Sequence, residues 1–248
     1  MSYLIVGLGS MGKRRARLIK NIQPDAQILG VDFAPARREE AAGLGITPFE
    51  NIADALAQGP TAAFVCTAPL SHAGIIRELL QGGVHVFTEL NLVADGYEEN
   101  IALAKEKGLH LMLSSTMLYR GEIQHMQKRV AAFEKPVSYI YHIGQYLPDW
   151  HPWEDYTNFF VGDARTGGCR EIFGIEMPWL TETFGPVTAI HTEKDKVTDL
   201  LTTYPDRFFV TLTHEGGGEG GADGRYCVPN RRSLPRNFWG GDALALGR

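Results

Sequence analysis

The chain has 248 residues, of which 44% are hydrophobic and 21% are charged, and its net charge at pH 7 is −5. This length and apolar content suit one large folded domain or two modest ones and exclude a globally disordered chain. The excess of acidic side chains also argues against a globally basic nucleic-acid-binding protein.

The cysteines and the N-terminal residues bear on the compartment of the protein. Cys66, Cys169 and Cys227 lie far apart without metal-ligand spacing, which predicts neither a disulfide framework nor a metal site and favours a reducing compartment. Residues 1–7 lack the basic start and the cleavage site of a signal peptide. Because no apolar stretch approaches the roughly 20 residues of a membrane span, we expect a cytoplasmic protein without membrane contacts.

The first half of the chain alternates predicted strands and helices. The strands are short and apolar, as in a parallel sheet that is buried on both faces, and they cover residues 3–6, 27–32, 61–67, 84–87 and 109–113. Helical segments separate them, over residues 11–22, 36–43, 52–56, 71–82 and 96–107. This alternation predicts an α/β fold with a doubly wound parallel sheet over residues 1–117.

The pattern changes in the second half of the chain. A helix through Ile123 and Phe133 precedes a long alternating strand over residues 137–147 and an aromatic loop. A further helix is predicted over residues 168–184, and strands are predicted over residues 187–192 and 208–213. We therefore predict a second, α+β domain with an open sheet over residues 118–215.

Residues 216–248 differ in composition from the rest of the chain. Nine of them are glycine, and the segment contains no isoleucine, threonine or lysine. Such a segment has little β-branched material for strands and loses much backbone entropy on ordering. We consider two hypotheses, a flexible tail and a segment that is foreign to the preceding domain because it is read out of frame. If the segment supplies no strands, the second sheet is truncated and its edges are exposed.

A glycine motif between the first strand and the first helix is the strongest functional signal. The pattern G-x-G-x-x-G in this context predicts a turn that holds a dinucleotide, because its glycines allow a tight turn, close backbone approach to the pyrophosphate and close helix packing. The predicted phosphate-binding residues are Gly7, Gly9, Ser10, Met11 and Gly12.

An acidic residue closes the second predicted strand, twenty residues after the last glycine of the motif. A carboxylate there, Asp32, accepts hydrogen bonds from ribose hydroxyls and favours NAD over NADP, since a 2′-phosphate would meet a negative charge. Arg37 and Arg38 follow closely and soften that preference, so NADP stays possible. We interpret the basic run around Arg15 as a solvated helix face rather than as a phosphate contact.

The loop after the third long strand lies at the carboxyl edge of the predicted sheet, where nucleotides bind. Pro69 ends the strand and Ser71 begins the next helix. His72 either points into the cofactor crevice or hydrogen-bonds the adjacent loop, and we favour the second interpretation. The predicted cofactor contacts from this loop are Thr67, Ala68, Pro69 and His72.

These motifs, together with residues 84–89, stand in the order and spacing of the glucose–fructose oxidoreductase/inositol dehydrogenase (Gfo/Idh/MocA) family, which the chain resembles over roughly residues 3–190. The resemblance implies an N-terminal Rossmann domain and a C-terminal α/β domain, whose open sheet carries substrate and often the dimer contact. It also implies NAD(P)-dependent oxidation or reduction of a sugar or cyclitol carbon, by a homodimer or a larger homo-oligomer.

The chain departs from the family at two functional positions. Where the family has Glu-Lys-Pro after a strand, with the lysine near the nicotinamide, this chain has Glu89, Leu90 and Asn91. Leucine cannot donate a proton, and asparagine is not a general base. By resemblance, Glu89 and Asn91 are still expected beside the cofactor.

The second departure concerns a helix on which the family carries an aspartate and, four residues later, a histidine. Alignment on Gly167 and Gly168 puts Ile172 and Glu176 at these two places. In one interpretation Glu176 replaces the histidine as acid/base, with a pKa raised by apolar neighbours. In the other, the chain keeps the cofactor fold but performs no ordinary alcohol oxidation.

Three further residues are candidate substrate contacts. Tyr119 and Arg120 follow the last Rossmann strand, and Arg120 either clamps a carboxylate or phosphate or forms a surface ion pair. His151 belongs to a polar and aromatic loop of the kind that suits sugar rings. The resemblance implies an oxidoreductase that acts on a small sugar-type molecule, and Glu176 and these three residues are its candidate catalytic and substrate-binding residues. The alternatives are a non-catalytic NAD-binding scaffold or sensor and an NAD-assisted lyase or glycosidase.

Overall fold

The computed structural model of the protein describes residues 1–150, 152, 154–215 and 219–225. The chain divides into two compact units, one over Met1–Ser114 and one that begins at Ser115. The division lies three residues before the domain boundary that the sequence predicts. No helix among the described residues is long and apolar enough to cross a membrane.

The first unit is a six-stranded parallel sheet with helices on both faces, which confirms the predicted Rossmann architecture. Its strands are β1 (Ser2–Val6), β2 (Gln27–Val31), β3 (Thr47–Phe49), β4 (Ala62–Val65), β5 (His85–Thr88) and β6 (Leu111–Leu113). Its helices are α1 (Ser10–Ile22), α2 (Pro35–Gly43), α3 (Ile52–Leu56), α4 (His72–Gln81) and α5 (Tyr97–Glu106). The sequence pattern did not predict β3, which contains Pro48 and forms an edge of the sheet, where proline is tolerated.

The strands lie in the order β3-β2-β1-β4-β5-β6. From β1 the chain first adds strands on one side of the sheet and then, beginning with β4, adds them on the other side. Loops that leave the carboxyl ends of these two neighbouring strands run to opposite sides of the sheet, so a crevice opens between them. Alternate residues of β1 are buried in separate apolar clusters, Leu4 and Val6 in one and Ile5 in the other. The rigid sheet therefore holds the two loops at its carboxyl edge in fixed positions.

The second unit begins with a short 3-10 helix and contains a four-stranded mixed sheet. Its regular elements are α6 (Gly121–Ala131), β7 (Tyr139–Gly144), α7 (Leu147–Trp150), α8 (Cys169–Phe184), β8 (Val187–Asp195), β9 (Arg207–His214) and β10 (Glu219–Arg225). The sheet order is β7-β10-β9-β8, with β10 parallel to β7 and antiparallel to β9. The α+β character of this half of the chain agrees with the sequence pattern.

The strand β10 lies inside the segment 216–248, for which composition predicted no strand. That expectation is wrong for residues 219–225, because β10 occupies a central place in the sheet and pairs with neighbours on both sides. Backbone groups make these ladder hydrogen bonds, so a glycine-rich sequence supplies them as well as a β-branched one. Residues 216–218 and 226–248 lie outside the described residues, and the hypothesis of a foreign reading frame stays untested there.

Candidate functional site

The turn between β1 and α1 uses glycine at three positions for three different reasons. Gly7 has a φ of +95°, and a Cβ there would lie 2.7 Å from the carbonyl oxygen of Cys66. A Cβ at Gly12 would lie 1.9 Å from the carbonyl oxygen of Gly7, so only glycine lets α1 pack this closely on the turn. A Cβ at Gly9 would meet only Nη1 of Arg37, at 3.9 Å. The backbone at Gly9 therefore faces open space that a phosphate group fits.

The N-terminus of α1 opens directly on this turn. Gly9 is the residue before the helix, no side chain caps the helix, and its first turn carries no acidic residue. The backbone N–H groups of Ser10 and Met11 have no acceptor within the helix, and the helix dipole favours an anion at this end. The turn and the helix end together fit a diphosphate.

Asp32 follows β2 at the edge of the same turn, and its side chain is buried. Its Oδ2 atom accepts a hydrogen bond from the backbone N–H of Leu8 at 2.9 Å, and its Oδ1 atom accepts one from the N–H of Ala34 at 2.9 Å. A carboxylate has about four acceptor sites, so both oxygens keep capacity for ribose hydroxyls. Asp32 thus fixes the glycine turn as well as presenting acceptors beside it.

The two arginines after Asp32 occupy different environments. Arg38 donates from Nη1 to the carbonyl oxygens of Asp32 and Phe33, at 2.8 and 3.0 Å, and so fixes the chain that leads into α2. The Nη1 atom of Arg37 lies 3.5 Å from Oδ2 of Asp32, and its side chain is 53% exposed. Arg37 therefore partly neutralises Asp32 and keeps donors that face solvent.

The loop after β4 is cross-linked to the loop after β5 by a buried histidine. His72 is 2% exposed. Its Nε2 atom lies 2.9 Å from the carbonyl oxygen of Thr67, and its Nδ1 atom lies 2.5 Å from Oδ1 of Asn91. The hydroxyl of Ser71 donates to the carbonyl oxygen of Ala68 at 2.8 Å, within the 3-10 turn that starts at Pro69. Both ring nitrogens of His72 thus contact protein atoms, and the residue orders the edge at which Thr67 and Asn91 lie.

Arg15 forms a partly buried ion pair, so its interpretation as part of a solvated helix face is wrong. Its side chain is 19% exposed, and its Nε atom donates to Oε1 of Glu89 at 2.5 Å. Its guanidinium group also lies over the ring of Phe87, 4.8 Å from the centroid, and donates to the hydroxyl of Ser114 at 3.3 Å. A carboxylate at the end of a buried strand needs a cationic partner, and that requirement was the signal that sequence reasoning missed.

The thiol of Cys66, the first residue after β4, lies near this ion pair. Burial and the charge of Glu89 raise the pKa of the Cys66 thiol to about 12, while Arg15 acts in the opposite direction. We expect iodoacetamide to alkylate Cys66 at pH 8 about 100-fold more slowly in the folded protein than in urea, because the thiolate is the nucleophile. Timed labelling followed by peptide mass spectrometry measures both rates. Equal rates in the two states would contradict a buried, protonated thiol.

In the second unit, Glu176 lies on α8 and is 4% exposed. Its Oε2 atom accepts two hydrogen bonds, from the hydroxyl of Tyr141 at 2.9 Å and from Nε1 of Trp179 at 2.5 Å. Burial raises the pKa of Glu176, whereas the hydrogen bonds from Trp179 and Tyr141 and the charge of Arg120 act to lower it. Because burial outweighs these opposing effects, this carboxyl group keeps its proton to a higher pH than an exposed glutamate does.

Tyr141 is a residue of this cluster that the sequence did not single out. Tyr141 lies two residues after the buried Tyr139 on β7, so the two side chains are on the same face of the strand, the face that packs against α8. Burial and the neighbouring charge of Glu176 raise the pKa of Tyr141, which keeps its hydroxyl protonated as a donor.

The other predicted substrate contacts have different surroundings. Tyr119 is 67% exposed at the end of the 3-10 helix. Arg120 forms an exposed ion pair with Glu122, with Nε and Oε2 3.7 Å apart, and it acts electrostatically on Glu176. His151 lies outside the described residues.

Among the residues that the structure describes, no group of three or more His, Cys, Asp or Glu side chains could hold a metal ion.

The chain is similar to known proteins in sequence and in fold. Residues 1–115 match the model of the Gfo/Idh/MocA oxidoreductase family, described as an NAD-binding Rossmann fold. Biliverdin reductase A of Homo sapiens is 30% identical over 130 residues, which are 51% of this chain and 44% of that protein. Biliverdin reductase A of Mus musculus is 29% identical over 134 residues. The match thus spans less than half the length of these curated relatives.

Two solved structures share the fold over most of the chain. GenD2 from gentamicin A biosynthesis, in complex with NAD, has a TM-score of 0.80 and 18% identity, with coverage of 93% of this chain and 67% of that one. The WlbA dehydrogenase from Bordetella pertussis, in complex with NADH and UDP-GlcNAcA, has a TM-score of 0.78 and 18% identity, with coverage of 93% and 68%. At such identities the likeness establishes the fold alone.

Proposed function

We propose that the protein binds NAD(H) and transfers a hydride between the nicotinamide and a small molecule, as the match of residues 1–115 to the model of the Gfo/Idh/MocA oxidoreductase family, an NAD-binding Rossmann fold, supports. The observation that carries the proposal is the open backbone at Gly9, next to an uncapped helix N-terminus and the carboxylate of Asp32. This combination offers N–H donors to a diphosphate and acceptors to a ribose.

The proposed cofactor contacts follow from the positions of the loops in the first unit. Backbone N–H groups of the turn from Gly7 to Gly12 hold the diphosphate, and Asp32 holds the adenosine ribose. The edge ordered by His72 supplies further contacts, from Thr67, Ala68 and Pro69 in one loop and from Glu89 and Asn91 in the next. When bound, the nicotinamide accepts or supplies the hydride, and the protein contributes orientation and proton transfer.

For the substrate we propose a sugar or sugar derivative with a secondary alcohol or ketone. The resemblance to the Gfo/Idh/MocA family implies this class, and WlbA from Bordetella pertussis, which shares the fold, was crystallised with UDP-GlcNAcA. In alcohol oxidation Glu176 would accept the O–H proton of the substrate, while bound NAD⁺ would serve as the hydride acceptor. Tyr119, Arg120 and His151 are the proposed substrate contacts, and Arg120 suits an anionic substrate. We also propose that the protein works in the cytoplasm as a homodimer or larger homo-oligomer.

Biliverdin is a second candidate substrate. The curated relatives are biliverdin reductases, and Leu90 stands where an alcohol dehydrogenase of the family has its lysine. Biliverdin is a conjugated tetrapyrrole that accepts a hydride at carbon, so its reduction needs no base that deprotonates an alcohol.

A substrate panel distinguishes these functions. Purified full-length protein is incubated with NAD⁺ and sugar alcohols or UDP-sugars, and separately with NADH or NADPH and biliverdin or keto-sugars, while absorbance at the NADH band is followed. We expect turnover in one class. Cofactor binding without turnover of any compound would favour a scaffold or sensor, and substrate conversion without net NADH change would favour an NAD-assisted lyase or glycosidase.

The environments of the two arginines after Asp32 predict a role for Arg37 in cofactor choice. We expect Arg37→Ala to weaken NADPH binding about tenfold or more and NADH binding much less, because a charge-assisted contact to the 2′-phosphate contributes about 1.5–3 kcal/mol. Isothermal calorimetry with both cofactors measures the ratio. Arg129→Ala removes the same charge from the exposed surface of α6 and is the control. An unchanged NADPH-to-NADH affinity ratio in Arg37→Ala would exclude this role.

A further inference from the structure

The carboxyl group of Glu176 is held by only one of its two oxygens. Both hydrogen bonds, from Tyr141 and Trp179, end on Oε2. Oε1 accepts no hydrogen bond from any residue that the structure describes. Oε1 is also not among the fully buried atoms that lack a hydrogen-bond partner, so it is the oxygen of this mostly buried carboxyl group that stays accessible to water or to a substrate.

The two donors are themselves fixed by packing. Trp179 follows Glu176 by three residues on α8, so the two side chains lie on the same side of the helix. Its indole is buried, and the ring of Tyr141 packs edge-on against it, with centroids 5.4 Å apart and an interplanar angle of 82°. Neither donor can leave Oε2 without disturbing the core that Trp179 shares with Tyr139 and Leu180.

The chemistry of the donors determines where a proton on Glu176 resides. An indole N–H donates and never accepts, so a proton on Oε2 would face the N–H of Trp179. The hydroxyl of Tyr141 donates to the same oxygen, and it would have to give up that hydrogen bond and turn its own O–H away before it could accept a proton from Oε2. The proton of the neutral carboxylic acid therefore belongs on Oε1.

We propose that Tyr141 and Trp179 are positioning residues, which keep Oε2 unprotonated and make Oε1 the atom that exchanges a proton with the substrate. The inference rests on the proposed function, in which Glu176 is the acid/base. In alcohol oxidation the substrate O–H bond breaks and its proton moves to Oε1, while the C–H hydride would pass to bound NAD⁺, the acceptor that the proposed function supplies. In the reverse direction Oε1 returns the proton to the forming alkoxide.

The electrostatic surroundings give the proposal a measurable consequence. Among the described residues, the groups that act on the Glu176 carboxyl are Trp179 on the same helix, Tyr141 on β7 and Arg120 at the start of α6. The hydrogen bonds from Trp179 and Tyr141 stabilise the ionised form and so oppose the effect of burial. Removing either donor therefore raises the pKa of Glu176. The pH above which Glu176 acts as a base moves upward with it.

The test compares Tyr141→Phe and Trp179→Phe with the unaltered protein. Infrared difference spectroscopy follows the protonated-carboxyl band of Glu176, identified by its loss in Glu176→Gln, across a pH titration. We expect the midpoint to rise by about one pH unit in each variant, as loss of one hydrogen bond implies. The apparent pKa of the acidic limb in the pH profile of kcat should move upward by the same amount. Tyr139→Phe is the control, because the Tyr139 hydroxyl pairs with His214 and not with Glu176.

The infrared and kinetic results separate the two possible failures. An unshifted carboxyl midpoint in Tyr141→Phe, which keeps the ring and its packing, overturns the positioning role whatever the activity. A shifted midpoint with an unmoved kcat profile instead removes Glu176 from the proposed reaction. If Trp179→Phe loses thermal stability, Tyr141→Phe alone decides the matter.

Discussion

Replacement of Gly12 by alanine is expected to abolish dinucleotide binding and to destabilise the first unit by about 3 kcal/mol, in the range of overpacked interior sites. The added Cβ would lie 1.9 Å from the carbonyl oxygen of Gly7 and 3.2 Å from a side-chain carbon of Ile5. Because a backbone atom cannot move aside as a flexible side chain does, the turn and α1 must separate. Thermal unfolding and calorimetry with NADH measure the two effects.

The substitution Gly9→Ala is expected to weaken NADH binding without destabilising the fold. A Cβ at Gly9 meets nothing closer than the Nη1 atom of Arg37 at 3.9 Å, so we expect a normal unfolding temperature. The methyl group fills the space into which a diphosphate must fit, and we expect NADH affinity to fall about tenfold or more. Gly74→Ala, in α4 with nothing within 4 Å of the added Cβ, should leave NADH affinity unchanged. Wild-type affinity in Gly9→Ala would show that the dinucleotide does not bind at this turn.

The second large effect is expected for Glu176→Gln, which should lower kcat by about 100-fold or more while NADH affinity stays within about twofold. The glutamine carbonyl oxygen still accepts the hydrogen bonds from Tyr141 and Trp179, so the core around it persists. What the substitution removes is the capacity to take up and release a proton. Steady-state kinetics with the substrate found in the panel, together with calorimetry, measure both quantities.

The control for this substitution is Glu182→Gln, an exposed glutamate on the same helix. It should retain full activity, since it changes the same charge without contact to the buried carboxyl. Near wild-type turnover in Glu176→Gln would exclude this residue as acid/base. It would then favour a substrate, such as biliverdin, that accepts a hydride without deprotonation of an alcohol.

Much of the first unit could be predicted from the sequence because its signals are local. Buried parallel strands appear as short apolar runs, and the roles of the three glycines follow from the motif between β1 and α1. The contact between Arg15 and Glu89 joins residues 74 positions apart. No local periodicity contains that information, and the helical pattern alone favoured a solvated arginine.

The second unit was less predictable because its important contacts join residues that are far apart in the sequence. The alignment on Gly167 and Gly168 indicated Glu176, but its partner Tyr141 lies on another element, 35 residues away. Composition also failed to predict β10, because a central strand is held by backbone hydrogen bonds from both neighbours and requires little of its side chains.

Calorimetric titration of the folded, full-length protein with NADH tests the central claim, that the glycine turn and Asp32 form a dinucleotide site. We predict saturable binding of one NADH per chain, weakened about tenfold or more in Gly9→Ala at the same unfolding temperature. The absence of measurable binding for NAD⁺, NADH, NADP⁺ and NADPH in a protein that unfolds cooperatively would contradict the account.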